Sequence, residues 1–207
     1  MSRKTKGGGG SAYRGDRFTK QAKAQGYTAR SVFKLEEIDR KAGLIKRGMA
    51  VVDLGCFPGS WTRYVAQRVG VKGHVVGVDL EAPQGIVGNF IVRSVYEVEP
   101  EELIDAIGGK ADLVLSDMAQ STTGQKDMDH LRQISLVERA HWLAQRVLKP
   151  GGSIVYKVFD GGDANACIAA IKRDFETLKR YKPEAVRSVS REFFVAGTGF
   201  RGFSEEE

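Results

Sequence analysis

Cysteine is scarce in this chain. Cys56 and Cys167 are too few for a disulfide framework or a zinc-type cluster, which points to a reducing compartment. Histidine is as sparse, and His74, His130 and His141 follow no metal-ligand spacing, so no metal is expected. Long apolar runs are missing: nothing approaches the ~20 residues that cross a bilayer, and the N-terminus lacks the apolar stretch of a signal peptide. These absences exclude a disulfide scaffold, a zinc module and a membrane protein, and leave a soluble cytoplasmic chain, expected to be monomeric. With 207 residues, 42% of them hydrophobic, one domain with a sizeable core is within reach. No internal repeat marks a second.

Acid is what the first thirty residues lack. Arg3, Lys4, Lys6, Arg14, Arg17, Lys20, Lys23 and Arg30 stand against Asp16 alone, so this segment carries +7, and the rest of a chain whose total is +6 is left at −1. A surplus confined to one arm points to a polyanionic partner, most simply nucleic acid; the bland alternative is a solvated tail. The run Gly7-Gly8-Gly9-Gly10 gives the start of the arm a composition that resists folding. The expected organisation is a flexible basic arm over 1–15 and a single domain over 16–207.

Within that domain the hydrophobic spacing switches repeatedly between strand and helix. Strands are expected at Val51–Leu54, His74–Asp79, Asn89–Val95, Ala111–Asp117 and Ser153–Phe159, and helices at Arg30–Ala42, Ser60–Arg68, Pro100–Ile107, 129–149 and Ala164–Arg180. Lys149-Pro150-Gly151-Gly152 stops the long fourth helix of the series. Ala185–Val189 and Glu192–Ala196 are expected as a closing pair of strands. The alternation predicts an α/β fold: a Rossmann-like, doubly wound, mostly parallel seven-stranded sheet with helices on both faces and an antiparallel strand near the C-terminus.

The stretch VVDLGCFPGSWTRYV, Val51 to Val65, joins a strand to a helix through a tight turn with Gly55 and Gly59. Glycine lets a ligand lie against bare backbone, and the helix start offers unpaired N–H groups. Asp79 follows Gly59 by 20 residues, the offset at which an acid meets an adenosine ribose. Two ligand classes fit poorly. A P-loop needs a lysine where Ser60 and Trp61 stand, and a dinucleotide fingerprint needs a third glycine, whereas Pro58 removes an N–H that a pyrophosphate would use. S-adenosylmethionine carries no phosphate, and its cationic sulfonium tolerates a carboxylate such as Asp117. Elimination favours it; a glycine turn with no ligand is the bland alternative.

Lys157 interrupts the apolar run Ser153–Phe159, where a parallel strand is usually apolar throughout. One lysine at a strand end proves little, because such side chains snorkel. Its neighbours change that. Asp117 ends the adjacent strand, Lys34 lies on the helix ahead of the sheet and Glu192 starts a closing strand, so two lysines and two carboxylates could meet beside the donor. A lysine in water, pKa about 10.4, keeps its proton, whereas burial and a neighbouring ammonium both favour the neutral form. Lys157 can then take a hydroxyl proton, with Lys34 assisting and Asp117 and Glu192 orienting the pair.

These segments carry a resemblance over about Asp16 to Gly199: DRFTKQAKAQGYTARSVFKLEEID, VVDLGCFPGSWTRYV, VVGVDL, VLSDMA, LKPGGSIVYKVF and SREFFVAGTG. The chain resembles the FtsJ/RrmJ (RlmE) family of S-adenosylmethionine-dependent 2′-O-methyltransferases of large-subunit ribosomal RNA. The resemblance implies a catalytic Lys-Asp-Lys-Glu tetrad at Lys34, Asp117, Lys157 and Glu192, with Lys157 as proton acceptor, and donor contacts at Gly55, Gly59, Trp61, Asp79 and Asp117. It also implies ribosomal RNA, within the large subunit or its precursor, as partner, and a uridine ribose as target. The sequence departs from the family's usual turn at Cys56, Phe57 and Ser60, from its usual Ala-Pro-Asn at Ala119-Gln120-Ser121, and from its acid for the adenine amino group at Ser94. Competing expectations are a 2′-O-methyltransferase of transfer RNA or another RNA, and a non-catalytic RNA-binding assembly protein, which an intact tetrad disfavours. A dehydrogenase is the outside alternative.

Overall fold

Five parallel strands form the body of the sheet, most of them joined through helices, in a computed structural model that describes residues 9–83, 85, 88–119, 126–187 and 190–202. Two helices come first, α1 (Gly9–Ala24) and α2 (Val32–Ala42). The sheet then builds from β1 (Ala50–Leu54), α3 (Ser60–Val69), β2 (His74–Asp79), β3 (Asn89–Val92), α4 (Pro100–Ile107), β4 (Ala111–Ser116), α5 (Lys126–Val147) and β5 (Leu148–Phe159). It closes with α6 (Ala164–Arg173), β6 (Phe175–Tyr181) and β7 (Glu192–Phe200). The spatial order of the seven strands is β3-β2-β1-β4-β5-β7-β6, with β7 antiparallel to both neighbours. The order reverses between β1 and β4, which is where such sheets open a ligand crevice.

Strand residues alternate between two faces, and each face has its own core. Val52, Leu54, Val114, Ile154, Tyr156 and Val158 pack with Leu103, Ile107, Val137 and Leu143 of α4 and α5. Val51, Leu113, Leu115, Val155 and Phe194 pack on the other side with Leu35 and Ile38 of α2 and with Trp61 and Val65 of α3. A satellite cluster of Ala22, Val32, Phe33 and Ala185 seats α1 on α2.

Three element readings need correction. The sixth helix ends at Arg173 rather than Arg180, and Phe175–Tyr181 is an edge strand. Phe175, Leu178 and Tyr181 recur at a spacing a helix shares, but β6 pairs on one side only, so its charged residues can face water while Phe175 is buried. The closing pair is therefore β6 and β7. Ala185 and Val186 lie buried in a turn rather than in a strand, and Ser188 and Val189 fall outside the described residues. The third strand stops at Val92, before a 3-10 turn over Val95–Glu97. Ahead of the sheet, α1 runs across residue 15, from Gly9 to Ala24.

Candidate active site

The turn after β1 is held by its own backbone. Gly55 and Cys56 donate N–H bonds to the Val78 carbonyl at 2.8 and 3.2 Å, and Gly59 donates to the Cys56 carbonyl at 2.6 Å. Gly55 has φ +78°, and a Cβ there would lie 2.6 Å from Met118 Cγ, so the position excludes side chains on two counts. Asp79, at the end of β2, accepts the Phe57 N–H at 2.9 Å and the Leu80 N–H at 2.7 Å. Each carboxylate oxygen keeps a second lone pair for a ligand hydroxyl.

Between this turn and the end of β4 lies a cleft of about 630 Å³, lined by Gly55, Phe57, Asp79, Leu80, Ser94, Tyr96, Asp117, Met118 and Arg132 among others. That volume falls in the usual range for small-ligand sites. Its donor set suits S-adenosylmethionine: a ribose-competent acid at Asp79, an apolar and aromatic wall, and Asp117, whose buried Oδ1 has no aligned hydrogen-bond donor among the described residues. Ser94 does line the cleft, with its Oγ accepting the Tyr96 N–H at 3.4 Å. Trp61 does not. Its buried indole packs against Phe194 and donates to the Ser31 carbonyl at 2.8 Å, so its side chain belongs to the core beneath the turn. Gln120 and Ser121 lie outside the described residues.

Strand alternation explains why four distant charges meet. Lys157 has the parity of Val155, Asp117 that of Leu113 and Leu115, and Glu192 that of Phe194, so all three fall on the sheet face that α2 covers. α2 brings Lys34 to the same place, 2.7 Å from Glu192 Oε1 and 3.9 Å from Asp117 Oδ1. Lys157 Nζ lies 3.1 Å from Asp117 Oδ1 and also donates to the Asp117 backbone carbonyl. Both lysines are buried, Lys34 with its Nζ over the Phe194 ring. Asp117 is the hinge of the arrangement, since it touches both lysines and lines the cleft.

Sequence reasoning passed over several residues near this site. Asp53 is fully buried on β1 and bonded to Thr62 Oγ1 at 2.6 Å; burial, with Asp117 and Asp79 adding to it, pushes its carboxyl up to about 7. Ser60, in the helix's first turn, accepts the Ala29 N–H at 2.7 Å and meets Thr28 Oγ1 at 2.8 Å, tying the segment ahead of α2 to the glycine turn. Gln133 is buried on α5, where period alone reads as core. Among the described residues no cluster of His, Cys, Asp and Glu suits a metal, and no helix is long and apolar enough to cross a membrane.

A doubly wound sheet with a reversed last strand, a glycine turn and an acid-lined cleft defines a nucleotide-type transferase site. Known proteins narrow it. A model of the FtsJ-like methyltransferase family matches residues 27–200. A ribosomal RNA large subunit methyltransferase E of Azorhizobium caulinodans is 41% identical over 195 residues, covering 92% of this chain and 81% of its own. A protein of the same name from Desulfatibacillum aliphaticivorans is 44% identical over 192 residues, covering 91% and 92%. The crystal structure of a ribosomal RNA methyltransferase from Plasmodium falciparum superposes with a TM-score of 0.77 at 26% identity, covering 86% of this chain and all of the other. The chain belongs to the FtsJ-like methyltransferase family.

Proposed function

We propose that this chain is a cytoplasmic, monomeric S-adenosylmethionine-dependent methyltransferase that modifies a ribose 2′-oxygen, at a uridine, in large-subunit ribosomal RNA. The observation that carries the reading is the convergence of Lys34, Asp117, Lys157 and Glu192 at the rim of a donor-sized cleft. The named relatives supply the substrate class. S-adenosylmethionine, when bound, supplies an electrophilic methyl group. Asp79 would hold its ribose, the Gly55–Gly59 turn its methionine end, and Asp117 the region between.

The chain's own work is alignment and proton removal. Lys157 Nζ accepts the proton of the 2′-hydroxyl as that oxygen becomes nucleophilic. Asp117 Oδ1, 3.1 Å from Lys157 Nζ, is the partner that faces the arriving proton. Asp117, bonded to Lys157 and facing the cleft, keeps base and donor in register. Glu192 gives the buried Lys34 its near partner, at 2.7 Å against 3.9 Å for Asp117. The domain would span 16–207, with residues 1–15 as a basic extension toward RNA.

The test is to incubate the protein with labelled S-adenosylmethionine and ribosomal subunits from a strain lacking the gene, with transfer RNA in parallel, and to map the label. Label on a ribose 2′-oxygen of large-subunit RNA is expected. Label confined to transfer RNA, or no transfer with undiminished RNA binding, overturns it.

A further inference from the structure

The β4–β5 ladder ends at Ser116 and Tyr156. Just beyond it, past the last β4–β5 pairing, lie the backbone carbonyls of Met118 and of Lys157, whose strand goes on pairing with β7 alone. Gln133 bridges them. Its side chain is 2% exposed and its amide nitrogen donates to both carbonyls, each at 3.2 Å. Two like dipoles so close would repel, and an unpaired buried carbonyl is costly, so one NH₂ group with two protons suits the position as no apolar residue can. On the C-terminal side of Gln133 along α5, Ile134, Leu136 and Val137 are buried and apolar, so the amide stands at the edge of an apolar stretch.

We propose that Gln133 is a positioning residue for methyl transfer, a clasp that fixes the spacing between the Asp117–Met118 segment, which lines the donor cleft, and Lys157, which receives the proton. This inference rests on the functional reading above. The two carbonyls belong to the base itself and to the residue after Asp117, and Lys157 Nζ also bonds to the Asp117 carbonyl, so the clasp and the base share one short stretch of backbone. Reacting geometry is sensitive at this scale: misplacement by about 1 Å can cost about 10²-fold in rate.

Two variants test it. Gln133→Leu keeps the volume and removes both donors; Gln133→Glu sets a carboxylate against the carbonyls and regains one donor only when protonated. Hydrogen exchange, which needs no activity, is the first measurement: both variants should exchange faster than the parent in peptides covering 115–119 and 154–159. Kinetics on ribosomal RNA are the second. Gln133→Leu should lose about 10²-fold in kcat with a smaller change in KM, and the Gln133→Glu rate, divided by the parent's, should rise as pH falls. Unchanged exchange at both segments overturns the clasp whatever the activity. Faster exchange with parental kcat, or a pH-independent ratio for Gln133→Glu, reduces Gln133 to a packing role and overturns it too. A parent protein that exchanges slowly but transfers no methyl to any RNA defeats the functional reading and leaves the clasp to the exchange data.

Discussion

At the residue scale the proposed proton removal falls to Lys157. Removing a general base typically costs about 10²–10⁴-fold, so Lys157→Ala should lose at least that in turnover while donor binding, followed by calorimetry, stays near parental. Lys157→Arg should fail equally, because a guanidinium holds its proton at any working pH. If the arginine variant turns over normally, Lys157 is only a positioned charge. Asp53 makes a different kind of test. Its carboxyl, raised in the fold to about 7, stabilises the protein while it can stay protonated, and that contribution is lost as pH rises from the unfolded value near 4 toward 7. Asp53→Asn should therefore match the parent's Tm near pH 4 and exceed it at pH 8, the gap opening by up to about 1.4 kcal/mol per pH unit between. A gap that narrows with pH would refute the assignment. Lys157 was legible because it breaks an apolar strand, whereas Asp117, Lys34 and Glu192 were picked out by their places at element ends and on α2 and by the resemblance. Gln133 and Ser60 were not, because an amide or hydroxyl within a helical period carries no sign of which backbone group it will meet.

At the element scale, the segment between α1 and α2 is fastened to the glycine turn and to α3. Thr28 donates to the Pro58 carbonyl at 3.1 Å, Tyr27 to Gln67 at 3.1 Å, Arg63 to the Gly26 carbonyl at 2.5 Å, and Trp61 to the Ser31 carbonyl at 2.8 Å. Ser31 lies three residues before Lys34, so these bonds set where α2 presents its lysine. Trp61→Phe keeps most of the packing on Phe194 but loses one bond, at a cost of about 1 kcal/mol in denaturant unfolding. Donor affinity should be unchanged and kcat reduced. A weakened donor Kd would instead restore Trp61 to the cleft wall. The parallel strands and their crossovers were readable because each is a buried run bounded by glycine or a helix start. β6 was not, since an edge strand that buries only Phe175 deeply has a weak period-2 signal.

For the whole molecule the relevant quantity is the uneven charge. Residues 1–30 hold +7 of a chain that is otherwise at −1, and Arg17 and Lys23 of α1 are exposed. If they meet phosphates, replacing both with Ala should weaken RNA binding and flatten its salt dependence. The slope of log affinity against log salt should fall by about 0.7–0.9 for each phosphate no longer neutralised. An unchanged slope would make the arm a solubilising tail. Composition revealed this surplus at once, whereas the docking of α1 through Ala22 on Val32 and Phe33 needed the third dimension.

The strand order has a consequence for how the protein comes into being. Among the described residues β7 is the last strand in chain order, yet it lies between β5 and β6, and it carries Glu192. Chains leave the ribosome from the N-terminus at about 5–20 residues per second, so the glycine turn, both lysines and Asp117 all emerge before the carboxylate that neutralises Lys34. Until then β5 has an open edge and the buried lysines share one acid. A nascent chain can thus form the cleft before these four charges balance, and the cluster is complete only once β7 has been made.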